Sequence, residues 1–272
     1  MRLLKRVFDF YLDASIHVAF AVLALIQVTL VTLNIPVDNH CSWFLFFGTI
    51  ASYNFIKYGV EAEKYFKVAN DYHKSIQFFS FIALGLAIYH AYFLNFEVWV
   101  GIIVLILLTG LYALPILPKA RNLRSLGGLK IFIVAIVWAG TTVILPSLRF
   151  ENTISWDVWI ETSQRFLFVL VLLIPFEIRD LKYDQEDLRT LPQRYGVTRT
   201  KTIGAFLVLC FFFFTFLKDD ISQVELIGKG TIFLVLGSLM FVTKRNQSTY
   251  FASFWVEGIP IIWLLILTCL RQ

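Results

Sequence analysis

The sequence predicts an all-α fold: a polytopic membrane bundle of nine transmembrane helices around a central cavity. Three observations carry this. Hydrophobic residues make up 58% of the 272 and charged residues only 16%, with a mean hydropathy of +0.73, whereas a soluble domain runs nearer half apolar and a quarter charged. Apolar runs approaching the ~20 residues that cross a bilayer as a helix recur along the whole chain, and a helix satisfies its own backbone there. The basic residues gather in alternate connections, as the positive-inside bias requires.

In chain order, the N-terminal piece MRLLKRVFDFYLD mixes charges with Leu, Val, Phe and Tyr. It reads either as an interfacial helix or as the snorkelling first turns of a long first span. The spans follow at roughly 14–33, 41–58, 75–94, 97–117, 129–148, 156–177, 202–217, 225–242 and 251–270. The first lacks a small-residue cleavage site after it, so it is expected to stay as a membrane helix. With the N-terminus cytoplasmic, the inner connections collect nearly all of the 24 lysines and arginines. Only Arg149, Lys218, Lys229 and Arg271 fall on the outer side, and Arg165 stands as the main charge inside a span. That asymmetry fixes the N-terminus inside and the C-terminus outside in an integral, multi-pass protein, expected in a bacterial cytoplasmic membrane.

The net charge of +5 is then an orientation signal and not a nucleic-acid footprint. Cys41, Cys210 and Cys269 have neither metal-ligand spacing nor a disulfide framework. With no repeat or linker to divide it, residues 1–272 form a single domain. The long connections, 59–74, 118–128 and 178–201, all lie on the cytoplasmic side, so function is expected at that face.

Three stretches there could carry chemistry. In EIRDLKYDQEDLRTLPQR, the acids Glu177, Asp180, Asp184 and Asp187 fall within an arc of roughly 80° if the stretch is one helix. Such a face suits Mg²⁺, which binds through one or two carboxylates plus substrate phosphate oxygens; a solvated acidic face is the alternative. At the end of the second span, Asn54, Lys57, Tyr58 and Glu61 share a helical face. They form either a polar pocket or a snorkelling lysine with a belt tyrosine and an inter-helix amide. From Tyr112 onward, Lys119, Arg121, Arg124 and Lys130 form a basic cluster. Facing an acidic stripe it would suit a diphosphate, although the positive-inside bias alone would also place it there.

The run EIRDLKYDQEDLRTLPQRYG, together with Tyr112, Lys119, Gly128 and Trp138, resembles the UbiA superfamily of intramembrane prenyltransferases. Asp180 and Asp184 match that family's D-x-x-x-D core, and Glu177 stands where an acid is often found. The resemblance implies a Mg²⁺-dependent transfer of an isoprenoid group from a prenyl diphosphate to an aromatic or other lipophilic acceptor within the bilayer. Glu177, Asp180 and Asp184 would hold the metal. Asn54, Tyr112, Lys119, Arg124, Lys130 and Arg189 would hold the diphosphate. The family's first motif, N-D-x-x-D-x-x-x-D, is retained here only at Asn54; Phe55, Tyr58 and Ala62 occupy the acidic positions, and Glu61 and Glu63 are out of register. Lys57, one turn from Asn54, is the candidate to replace the missing metal charge beside Asp180 and Asp184. Two other classes compete: an inactive relative that binds an isoprenoid lipid or organises a membrane complex, and a transporter, against which the single main in-span charge speaks.

Overall fold

The computed structural model describes residues 2–60, 70–114, 128–150, 154–183 and 188–271, and every regular element among them is helical. Helix α1 (Arg2–Asp13) meets α2 (Ile16–Thr32) at an angle of 55°. Ser15, in the left-handed region at φ 58°, makes the corner. The bend divides the N-terminal piece from the first span, so any long first span that includes α1 is a broken one.

Next come α3 (Asn39–Asn54), continued by a π-helical turn (Phe55–Val60), then α4 (Asp71–Ala91) and α5 (Phe96–Ala113). Helix α6 (Leu129–Ala139) passes through a second π segment (Gly140–Ile144) into the short α7 (Leu145–Leu148). Helix α8 (Trp156–Asp180) is the longest. Then α9 (Leu191–Phe213), α10 (Gln223–Val242), a third π segment (Phe251–Val256) and α11 (Ile259–Leu270) complete the bundle.

The helix starts follow local chemistry. Asp38 accepts from the Cys41 N–H, Asn70 from Tyr72 and Ser222 from Glu225. Gln193 accepts from the Thr190 N–H across Pro192, so at these helix starts a side chain satisfies a backbone N–H.

Length and hydropathy make six of the described helices able to cross a membrane, or seven with the bent α1–α2 pair. The expected count of nine is therefore not confirmed. Helices α3 and α4 fall outside that set because polar residues such as His40, Asn54 and Lys57, or Asp71, Lys74 and His90, lower their hydropathy.

Helix α8 is the axis of the main core. Its Phe168, Val171, Ile174 and Ile178 pack with Leu25 of α2, Phe211 of α9, Leu236 of α10 and Trp263 of α11, all fully buried. The outward faces carry Phe241, Leu234, Trp255 and Ile106, as a lipid-facing surface should, because hydrocarbon does not drive apolar side chains inward.

The ends sort into two sets. At one, Arg149 pairs with Asp38, Trp156 Nε1 donates to the Leu217 carbonyl, and Arg271 donates to that of Val31. At the other, Lys57 meets Asp13, Lys130 meets Glu177 and Tyr250 meets Asp9. The segments flanking 59–74 and 178–201 therefore share an end, and those flanking 149–155 lie opposite.

The membrane interior holds more charge than Arg165. Glu161 lies 3.3 Å from Arg165 and 2.8 Å from Lys229, which is itself 2.7 Å from Glu225; Lys218 also reaches Glu225 at 2.7 Å. All five side chains are buried. Gln164 joins through Lys229, while Arg165 also donates to the Leu25 carbonyl and to Thr29 and Thr142. This cluster corrects the expectation that Arg165 is the main charge within a span: Glu161, Glu225 and Lys229 also lie in candidate spans, while Lys218 follows the one that ends at Leu217, and the Lys229–Glu161 contact joins residues distant in sequence.

Candidate functional site

The candidate site lies at the last turn of α8, a helix that packs against α6 and the third π segment, with Lys57 after α3 reaching the same region through its charge. Helix α8 ends at Asp180, followed by a turn over residues 181–183, and Arg189 has φ 45°. A single-helix stripe thus extends no further than Glu177 and Asp180, because the chain leaves the helix before the later acids. Asp184 and Asp187 lie outside the described residues, as do Lys119, Arg121, Arg124, Glu61, Glu63, Lys64 and Lys67.

The two acids that are described each hold a cation. Lys130 Nζ, from the first turn of α6, lies 2.8 Å from Glu177, whose side chain is only 4% exposed. The Arg179 guanidinium grips its neighbour Asp180 with two hydrogen bonds, 2.7 and 3.2 Å, while stacking over Phe176. Gly128 brings the start of α6 against the backbone of Arg189, whose carbonyl would lie 3.8 Å from an added Cβ. The side chains of Lys130 and Arg179 and the backbone of Arg189 therefore come together around this end of α8.

The α3 side differs from expectation. The Asn54 side chain is buried and structural in its contacts: its Oδ1 accepts from Ser15 at 2.7 Å, and its Nδ2 donates to the Ala14 carbonyl and Ser80. It clamps the α1–α2 corner. Lys57 and Tyr58 both turn to Asp13, Lys57 at 3.4 Å and the Tyr58 hydroxyl to its carbonyl at 3.1 Å. Tyr72 donates to the other Asp13 oxygen at 2.8 Å. A carboxylate from α1 thus stands beside the degenerate first motif, and no acid of α3 itself does so among the described residues.

Two residues here gave no chemical signal in the sequence. Tyr53, on the inner face of α3, accepts from Trp138 Nε1 at 2.6 Å and lies near Tyr112. Glu257 follows the third π segment, and the charges of Lys57 and Arg179 both reach its carboxylate. Gly258 beside it has no room for a side chain, since a Cβ would sit 2.8 Å from the Phe254 carbonyl and 3.5 Å from His17. His17 is buried and bonds to that carbonyl and to Tyr11. Two of the three π segments therefore flank this site, in keeping with the frequent placement of such bulges at functional positions.

Among the described residues no three His, Cys, Asp or Glu side chains converge as a metal-binding group. Glu177 and Asp180 supply two carboxylates on one turn, which suffices for Mg²⁺ when phosphate and water complete the octahedron.

No family model matches the chain, and no curated protein matches it in sequence. Its fold does match solved structures. A UbiA homologue from Archaeoglobus fulgidus bound to GPP and Mg²⁺ superposes with a TM-score of 0.61 at 12% identity, over 96% of this chain and 99% of that one. The same homologue bound to DMAPP and Mg²⁺ gives 0.61 at 11%, over 96% and 98%. A structure concerned with digeranylgeranylglyceryl phosphate synthase in membranes gives 0.58 at 15% identity, over 98% of this chain and 97% of that one. At these identities the likeness shows a shared fold.

Proposed function

We propose, on the premise of a fold shared with UbiA homologues, that this chain is an intramembrane prenyltransferase. It would move an isoprenoid group from a prenyl diphosphate to an aromatic or other lipophilic acceptor, acting as a single domain over residues 1–272. The observation that carries this reading is the pair of ion pairs at the end of α8, Lys130 with Glu177 and Arg179 with Asp180.

Each pair can exchange partners. A diphosphate takes the cations, whose N–H groups suit phosphate oxygens, and frees the carboxylates for Mg²⁺. When bound, Mg²⁺ neutralises charge developing on the leaving diphosphate. Lys57 is held by Asp13 rather than by Asp180; it would supply a fixed charge across the site, where the first motif lacks its acids. Asn54 holds the corner that presents α1 to the site, so its contribution is to position Asp13 and Lys57. Tyr112, Lys119, Arg124 and Arg189 complete the proposed diphosphate shell, with Asp184 as the further metal ligand.

The orientation follows from the basic residues: this end cytoplasmic, the C-terminus outside, the setting a bacterial cytoplasmic membrane. Similarity to relatives whose structures hold GPP or DMAPP with Mg²⁺ supports the substrate class.

The test is binding and turnover of labelled geranyl diphosphate with purified protein. Asp180→Ala should remove Mg²⁺-dependent binding while the thermal transition is kept, and wild type should convert label to a prenylated lipid in membranes. Binding unchanged in Asp180→Ala/Asp184→Ala sinks the proposed metal site. Tight binding with no product in wild type would instead mark a lipid-binding relative without chemistry.

A further inference from the structure

From the placement of Glu257 we infer that this side chain is the proton acceptor for the prenyl acceptor, and that the acceptor carries a hydroxyl group. The inference rests on the proposed prenyl transfer and assigns it a residue outside both aspartate-rich stretches.

Four observations meet at Glu257. It is the one charged residue between Phe251 and Leu270, and a charge within a span is expensive to keep unless it has a task. It follows a π segment and precedes Gly258, so the backbone there is bent out of a regular helix, with the Glu257 N–H bonded to the Ala252 carbonyl. Its side chain is half-buried, and among the described residues its carboxylate has no hydrogen-bond or ion-pair partner. That contrasts with Glu161, Glu225, Glu177 and Asp180, which are all paired. Finally, the π segment before it packs against α8, and the charges of Lys57, from the π turn after α3, and of Arg179, from α8, both reach its carboxylate, as it in turn reaches Tyr11 of α1 and Tyr53 of α3. A half-buried carboxylate with free lone pairs, within reach of the charges of Lys57 and Arg179, can accept a hydrogen bond from a group brought beside it.

The chemistry balances without another reactant. The allylic C–O bond of the diphosphate breaks, and its electron pair leaves with the diphosphate. A lone pair of the acceptor oxygen forms the new bond to the allylic carbon. The hydroxyl proton passes to the Glu257 carboxylate and thence to water at the open end. General-base assistance of this kind contributes about 10²–10⁴-fold.

The experiment separates cleavage from transfer. Purified protein in nanodiscs is given labelled geranyl diphosphate and Mg²⁺, with an alkylphenol and a monoalkylglycerol as acceptor probes. Diphosphate binding, diphosphate release and prenylated product are measured separately across pH. Glu257→Gln should keep binding and release within about twofold, lose transfer by roughly 100-fold, and lose the acid limb of the transfer profile. Glu257→Asp should recover part of the transfer. Transfer at the wild-type rate in Glu257→Gln, or equal loss of release and transfer, overturns the inference. The other titratable groups facing the carboxylate are Lys57, Arg179, Tyr11 and Tyr53, so an acid limb that persists in Glu257→Gln belongs elsewhere and also counts against it. A wild type that neither binds nor cleaves the diphosphate overturns the prenyltransferase reading itself, and is distinguished by failing before any variant is compared.

Discussion

Replacing Glu161 by Gln should destabilise the bundle far more than replacing Lys229 by Met, although each removes one end of the same 2.8 Å contact. The buried cluster holds three cations, Arg165, Lys218 and Lys229, against two acids, Glu161 and Glu225. Without Lys229 the charges balance: Arg165 keeps Glu161 at 3.3 Å and Lys218 keeps Glu225 at 2.7 Å. Without the Glu161 carboxylate, three buried cations face one acid. At an effective dielectric near 20, Glu161 attracts Lys229 by about 6 kcal/mol and Arg165 by about 5 before desolvation is subtracted. Measured losses for breaking a buried pair run to ~3–5 kcal/mol. For a chain of this size that lowers the thermal midpoint by roughly 10 °C. Tryptophan fluorescence during heating in detergent reads it directly, because Trp263 stacks against Arg165. A midpoint in Glu161→Gln within about 2 °C of wild type, or a larger loss in Lys229→Met, would refute the charge-balance argument.

Other outcomes follow from the same contacts. Lys57→Ala should weaken diphosphate binding at least tenfold more than Lys64→Ala or Lys67→Ala, since a unit charge ~4 Å from a phosphate oxygen contributes about 4 kcal/mol before desolvation; titration calorimetry showing three equal effects makes Lys57 a membrane anchor only. Gly228→Val should destabilise by ~1–3 kcal/mol, because a Cβ there already meets Leu267 at 2.4 Å; an unchanged melting curve would show that α10 and α11 have slack between them. Burial pushes the Asp38 carboxyl up, but the Cys41 N–H and the Arg149 guanidinium pull it further down, leaving it below its usual value. Its stabilising contribution is therefore complete above the unfolded carboxylate pKa of about 3.9 and lost as pH falls through the lower folded value. Arg149→Met should make the protein less sensitive to that acid range, and an unaltered pH–stability curve would count against the pairing.

The all-α class and the grouping of loops at two ends were legible because hydropathy and basic-residue alternation are properties of single segments. The site was legible only in part. Glu177 and Asp180 stood out as spaced acids, but their pairing with Lys130 and Arg179 depends on where α8 stops, and the run to Asp187 carried no unambiguous stop signal. Asp13 looked like one charge in an interfacial helix, and only the 55° corner at Ser15 turns it toward Lys57. Glu257 was passed over, because a single acid in an apolar run has no spacing pattern and nothing local says which helices it faces.

The buried cluster also bears on how the chain is made. Glu161 and Arg165 are four residues apart on α8, and Glu225 and Lys229 are four apart on α10. Each helix can therefore enter the bilayer with its charges already neighbouring one another, instead of carrying lone ions that each cost about 2.5–3.5 kcal/mol at a helix centre. Only after both are inserted can Lys229 reach across to Glu161. The ribosome delivers α8 before α10, so α8 waits in the membrane as a self-neutralised segment, and the arrival of α10 locks the two together.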